Sequence, residues 1–196
     1  MKEYFDSILK TVKDSVDSLN YERFGMLAEE CLHAIRNGKK VIVSGLGKNV
    51  PVCDKFVGTM NSLGIPAVFM NTNSAVHGDI GMVTDGDIVI ILTKSGATSE
   101  SVYLESLLEQ RNCIIWLLSF EQDSVLQRKL KDHCLILSLE NEGDQWNIVP
   151  NNSTTVNLIV LQGLAMEIAC RMGVTLSDFK KNHPGGHIGV QLKDVG

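Results

Sequence analysis

Apolar residues recur at helical spacing along the start of the chain. Tyr4, Phe5, Ile8, Leu9, Val12, Val16 and Leu19 form one stripe, and Phe24, Leu27, Ala28, Cys31, Leu32 and Ile35 form a second. This period predicts two helices within residues 1–36, the second closed by Asn37-Gly38. The pattern then changes. Runs rich in Val, Ile and Leu, without polar alternation, occupy residues 40–44, 67–70, 87–93, 113–119 and 133–138. Such runs are strands buried on both faces of a parallel sheet. Helical stretches at 49–63, 98–110 and 123–130 separate most of them, and 71–83 reads as a loop with one helical turn. Two last helices are expected at 153–172 and 176–181.

Strands alternating with helices imply a three-layer αβα sandwich. Five parallel strands in this pattern predict the flavodoxin-like order 2-1-3-4-5. A chain of 196 residues can bury one sizeable core, so no disulfides are needed. We divide it into N-terminal helices at 1–38, serving packing and oligomerisation, and an α/β domain at 39–196, together one structural unit. In the 2-1-3-4-5 order the chain reverses between strands 1 and 3. Ligands bind at that reversal, beyond the carboxyl ends of the strands. The loops meeting there are 44–49 and 93–99.

Charge narrows the ligand. Lys plus Arg is 18 and Asp plus Glu is 23, a net charge of −5. A general nucleic-acid binder would need a basic face, so that class is excluded. An anionic ligand would have its charge met locally. The longest apolar runs, such as 88–92 and 156–160, are too short to cross a bilayer, and the start Met-Lys-Glu-Tyr-Phe-Asp has no signal-peptide core. A cytoplasmic protein without membrane contact is expected. Five cysteines (Cys31, Cys53, Cys113, Cys134 and Cys170) form no CxxC pair and read as buried small hydrophobes, Cys53 being the one near a Gly-rich loop.

The two switch-point loops carry the candidate chemistry. The first is Ser44-Gly45-Leu46-Gly47-Lys48-Asn49 and the second Thr93-Lys94-Ser95-Gly96-Ala97-Thr98-Ser99-Glu100. Neither is a Walker A loop or a complete GxGxxG. The ribose-binding acid of a dinucleotide site is replaced by Asn71. Hydroxyls and backbone amides at a helix start suit a phosphate monoester, and glycine lets the backbone approach it. The candidate phosphate- and substrate-binding residues are Ser44, Gly45, Gly47, Asn49, Thr93, Ser95, Gly96, Thr98 and Ser99. Ordinary helix capping by Ser95 or Thr98 is the simpler alternative.

Three further motifs follow in order: His77-Gly78-Asp79-Ile80-Gly81-Met82-Val83, Pro150-Asn151-Asn152-Ser153-Thr154-Thr155 and His183-Pro184-Gly185-Gly186. With the two loops they resemble the sugar isomerase (SIS) domain of the D-arabinose-5-phosphate isomerase family, over residues 39–189. The resemblance implies interconversion of D-arabinose 5-phosphate and D-ribulose 5-phosphate through a cis-enediol, with no redox cofactor; no metal site is read from the residues. It places the catalytic residues on Lys48, Glu100, Glu142 and His183, with a substrate-contacting histidine at His77. His183 or His77 would carry the C1/C2 proton, assisted by Glu142. Lys48 would steady the enediolate or the phosphate, and Glu100 would orient Lys48 or the sugar.

The resemblance also implies a homotetramer with sites at subunit interfaces, His183 being supplied by a neighbour. Many relatives continue into a pair of CBS domains, and this sequence stops before them. The chain departs from the family at Asn49-Val50-Pro51, at Lys94-Ser95-Gly96-Ala97, at Asn71 and across Gly143-Asp144-Gln145-Trp146-Asn147-Ile148-Val149. These departures leave the sugar open. Alternatives are an isomerase for another sugar phosphate, such as a hexulose phosphate, and a non-catalytic sugar-phosphate-binding protein. His33 and His133 read as structural. His183 and His187 do not read as a metal pair, because Pro184-Gly185-Gly186 breaks the helix such a pair needs.

Overall fold

A computed structural model describes residues 1–193; residues 194–196, the end of the 39–196 domain, lie outside it. The helices are α1 (Lys2–Asp17), α2 (Tyr21–Arg36), α3 (Asn49–Ser62), α4 (Thr72–Ala75), α5 (Ser99–Leu108), α6 (Val125–Leu130), α7 (Asn152–Met172), α8 (Leu176–Lys181) and α9 (Gly186–Gln191). The strands are β1 (Val41–Gly45), β2 (Ala67–Asn71), β3 (Ile88–Leu92), β4 (Ile114–Ser119) and β5 (Cys134–Ile136). A 3-10 turn, Asp79–Met82, precedes β3. The sheet is parallel throughout, in the expected order β2-β1-β3-β4-β5.

Side-chain alternation builds the three layers. Successive residues of a strand point to opposite faces. Val41, Val43, Ile88, Ile90, Leu92, Trp116 and Leu118 pack on one face with α2, α3 and α7. Ile42, Val89, Ile91, Ile115 and Leu117 pack on the other with Leu104 and Leu108 of α5 and Leu126 of α6. Both faces are covered, so β1 and β3 are buried along their whole length. That explains why the strands read as unbroken apolar runs.

Local chemistry sets the helix ends. Asn20 caps α2 by accepting from the Arg23 amide at 3.0 Å. Ser124 caps α6, so that helix starts at Val125 and not at the expected residue 123; Asp123 instead has φ +54°. Residues 71–83 form α4 and the 3-10 turn, where one turn was expected. Helix α9 carried no periodic signal and went unforeseen.

Two expectations need correction. Cys170 is exposed and Cys113 half-buried, although Cys31, Cys53 and Cys134 are buried as expected. The 21-residue α7 is long and apolar enough to cross a membrane by length and composition, which the short apolar runs within it concealed. Half of its apolar window is buried inside the fold, and it packs against α1, α2 and α3.

At the amino edge of the sheet, Asp87 is wholly buried. Its carboxylate accepts from the Lys40 ammonium at 2.6 Å and amide at 3.1 Å, and from the Thr84 amide at 2.8 Å and hydroxyl at 2.9 Å. Burial alone would push the carboxyl up, but Lys40 and Thr84 outweigh it and hold it below its ordinary value. A depressed carboxyl stabilises the fold above its unfolded pKa, and that contribution is lost as pH falls through the folded value. Asp87→Asn is therefore expected to cost about 2–4 kcal/mol at pH 7. It should also flatten the loss of stability below about pH 4. Urea melts of both proteins at pH 7 and pH 3 check this; equal midpoints at pH 7 would refute it.

Candidate active site

Strand register brings the loops together. Gly45 of β1 lies between Asn71 of β2 and Leu92 of β3, and Leu92 faces Leu118 of β4. The segments following β1, β2, β3 and β5 therefore leave one edge of the sheet, and they carry Lys48, His77, the 93–100 loop and Glu142. This is the switch-point crevice.

The β1–α3 loop is tight. A side chain at Gly45 would meet Asn49 Cβ at 2.9 Å and Cys53 Sγ at 3.1 Å, and Gly47 takes φ +55°. Only glycine fits both demands at little cost. Cys53 packs beneath the loop, where burial pushes its thiol up to about 12, so it is an apolar filler and not a nucleophile. Lys48 is exposed at the N-cap position of α3. The Asn49 amide oxygen accepts from Asn157 Nδ2 of α7 at 3.0 Å, which ties the loop to the core helix. Ser44 is turned away from solvent. It is fully buried, and its hydroxyl pairs with that of Thr72 at 2.9 Å.

The β3–α5 loop is braced from behind. Lys94 O accepts from Ser119 Oγ at 3.0 Å and from the Phe120 amide at 3.1 Å, and Gly96 O accepts from the Leu126 amide at 3.0 Å. Gly96 has φ +58°, and an added side chain would sit 2.7 Å from Ser124 Cβ. Position 96 admits no other residue without displacing α6. The hydroxyls of Thr93 and Thr98 lie 3.1 Å apart, those of Ser95 and Thr98 3.4 Å apart, and Ser95 Oγ accepts from the Ala97 amide at 3.2 Å. Thr98 is the N-cap of α5 but makes no side-chain cap there. Simple capping by Thr98 therefore does not explain the hydroxyl cluster. The first amides of a helix have no intrahelical acceptor, and a start of this kind can face an anion.

Glu100 stands exposed in the first turn of α5 and accepts from Ser99 Oγ at 2.8 Å, so it is held by its neighbour rather than by Lys48. Its own amide and the Ser99 hydroxyl hold the carboxyl below its ordinary value. Glu142 is different. It is completely buried, in the segment between β5 and α7. One oxygen ion-pairs with Lys94 Nζ at 2.7 Å; the other accepts from the amides of Asn151 at 3.2 Å and Ser153 at 3.0 Å. Asn151, the N-cap of α7, contributes no side-chain cap, so Glu142 caps the helix from nine residues upstream in the Asn151 contact. Burial would raise this carboxyl, but Lys94 and Ser153 reverse the effect and hold it below its ordinary value. The Lys94 pairing and the cap were missed from sequence. The motif Pro-Asn-Asn-Ser-Thr-Thr held the signal for the second.

His77 lies exposed just after α4, on the same edge. His183 does not join this group. It follows α8, which is reached only after α7 has run about 30 Å to the opposite edge. There Asn182 Nδ2 donates to Ser62 O at the far end of α3. The His183 ring stacks on Phe179 at 3.9 Å, and Nδ1 lies 2.8 Å from Phe179 O. A carbonyl only accepts, so Nδ1 is the donor in this contact. His187 lies within α9, whereas His183 sits in the turn before it, so the two do not share a helix. His133 serves the core: it lies 3.3 Å from Glu30, which accepts from the buried Trp116 indole at 2.6 Å.

A family model described as the SIS domain matches residues 34–167. The chain belongs to the SIS domain family. This SIS protein is 32% identical over 193 residues to an arabinose 5-phosphate isomerase of Pseudomonas aeruginosa, covering 97% of this chain and 59% of that one. It is 33% identical over 153 residues to the Escherichia coli K12 arabinose 5-phosphate isomerase, but spans 46% of that relative. Among solved structures, an Escherichia coli CFT073 protein in complex with arabinose 5-phosphate superposes with a TM-score of 0.85 at 28% identity, over 93% of this chain and 95% of that one. A Bacteroides fragilis protein of the phosphosugar isomerase type, involved in capsule formation, gives 0.87 at 26% identity, over 95% and 99%.

Proposed function

We propose that this SIS protein is an aldose–ketose isomerase for a phosphosugar, D-arabinose 5-phosphate and D-ribulose 5-phosphate being the pair it interconverts. One observation carries the reading. The hydroxyl-lined start of α5, the exposed Lys48 and the buried carboxylate of Glu142 are gathered on one edge of the sheet. A dianion fits the first, and proton transfer next to a carbonyl needs the others. The similarity to proteins named for this sugar phosphate supports the choice of substrate.

In this reading the amides of α5 with Ser95, Thr98 and Ser99 hold the phosphate. Gly45 and Gly47 let the first loop approach it, and Asn49 positions that loop. Lys48 stabilises the enediolate charge. A base takes the C2 proton and returns it at C1, while Glu142 assists in moving the hydroxyl protons. The proton stays within the sugar and no electrons leave it, so the reaction requires no redox cofactor. His77 stands on the site edge of the same chain. His183 reaches a site only from another subunit.

That placement and exposed apolar surface support an assembly. Tyr4, Phe5 and Leu9 of α1 and Ile159 and Met166 of α7 stay exposed. A homotetramer would cover these faces and deliver His183 to a neighbouring site. Residues 1–38 would serve that assembly, and 39–196 would hold the isomerase. A sugar phosphate cannot cross a bilayer unaided, because desolvating its dianion is costly. Enzyme and substrate therefore share the cytoplasm. Incubation with D-arabinose 5-phosphate should give D-ribulose 5-phosphate, and light scattering should give four subunits; failure to convert this sugar while another phosphosugar is converted would move the assignment.

A further inference from the structure

Lys94 is one of the positions at which the sequence departs from the family it resembles. It lies within the phosphate-binding loop, yet its side chain points to the carboxylate expected to move protons. Its backbone is fixed by Ser119 Oγ and the Phe120 amide. Its side chain is 48% exposed, against 0% for Glu142. One end of the ion pair is thus locked in the protein, and the other is a flexible lysine at the solvent edge.

We propose that Lys94 is a two-position lysine controlling Glu142: it pairs with the carboxylate as seen here, and a phosphate gripped by the 95–99 loop draws the ammonium away and releases Glu142 to act on the sugar. The proposal rests on the phosphosugar reading above and deepens it.

Three observations support the transfer. A phosphate at the α5 start would lie beside Lys94 in its own loop, and a dianion outcompetes a single carboxylate for one ammonium in a partly solvated setting. Glu142 does not move with the lysine, because the Asn151 and Ser153 amides retain its other oxygen. No second cation is paired with Glu142 among the described residues. The first turn of α7 holds no acidic residue, Asp144 is tied to the amides of Trp146, Ile148 and Val149, and α1 brings Ile8 against Gly143 and Lys10 near Glu140. With Lys94 paired, the carboxyl is held ionised and occupied. With Lys94 gone, burial dominates and makes Glu142 a stronger base.

The test is a carbon-13 NMR titration of the Glu142 carboxyl, assigned by its absence in Glu142→Gln, with inorganic phosphate as the probe. In the wild-type protein, saturating phosphate should raise the Glu142 midpoint by about one pH unit or more. In Lys94→Met the midpoint should already be high without phosphate and move little on adding it. Lys94→Arg should restore the phosphate response. With D-arabinose 5-phosphate, the loss in Lys94→Met should fall on KM, by about tenfold, rather than on kcat. A lysine that merely props Glu142 in place predicts the reverse split. An unmoved wild-type midpoint with phosphate bound, or a kcat loss at unchanged KM, overturns the proposal. If the wild-type protein isomerises no sugar phosphate, the functional reading falls, while the phosphate titration still decides the role of Lys94.

Discussion

Glu142→Gln is expected to lower kcat by about 10²–10⁴-fold while the protein still folds. Glutamine keeps one oxygen to accept from the Asn151 and Ser153 amides, so the start of α7 stays capped. It cannot take up a proton, and it offers Lys94 no charge. Lys94 is half-exposed and turns to solvent at little cost. Glu142→Ala goes further. It leaves the amides at the start of a buried helix without their acceptor, and should cost about 2–4 kcal/mol in addition to activity. The wild-type carboxyl is held below its ordinary value, so the stability it adds is present above about pH 4.3 and is lost as pH falls through the depressed value. Both variants should lose that part of the acid sensitivity. Turnover of Glu142→Gln within threefold of wild type would remove Glu142 from the proton-transfer machinery.

Lys48→Ala and His183→Ala are each expected to be nearly inactive alone and to recover activity when mixed. Lys48 lies at the carboxyl edge of the sheet, and His183 is held at the opposite edge by the Asn182–Ser62 contact and the stack on Phe179. One subunit therefore cannot bring both into one site. If a site takes Lys48 from one subunit and His183 from another, random mixing restores about a quarter of the sites. Each single variant should lose about 10²-fold or more in kcat. Co-refolding the two and measuring turnover decides it. A mixture no more active than its components contradicts a shared site. Full activity of His183→Ala alone gives the proton to His77.

The sheet was legible because burial on both faces leaves little room for polar residues. The run Ile88-Val89-Ile90-Ile91-Leu92 could only be an inner strand, and its neighbours fixed the switch point. The β3–α5 loop was legible for a related reason: Gly96 lies against Ser124 in a conformation that glycine adopts freely. The partners that set charge were not legible. Lys94 and Glu142 are far apart in sequence, and nothing at either position marks the other. Ser44 reads as a loop hydroxyl, but its place at the end of β1, under Thr72, buries it. The exposed Cys170 lies on a side of α7 that also carries exposed Ile159 and Met166, so apolar periodicity did not assign its side.

The central claim, proton transfer within a phosphosugar, is tested most directly by proton NMR of D-arabinose 5-phosphate with the enzyme in deuterated water. Conversion to D-ribulose 5-phosphate is expected, with deuterium appearing on the carbons that exchange through the enediol. Binding of the sugar phosphate with neither conversion nor deuterium uptake, for this sugar and for a panel of other aldose and ketose phosphates, would contradict it.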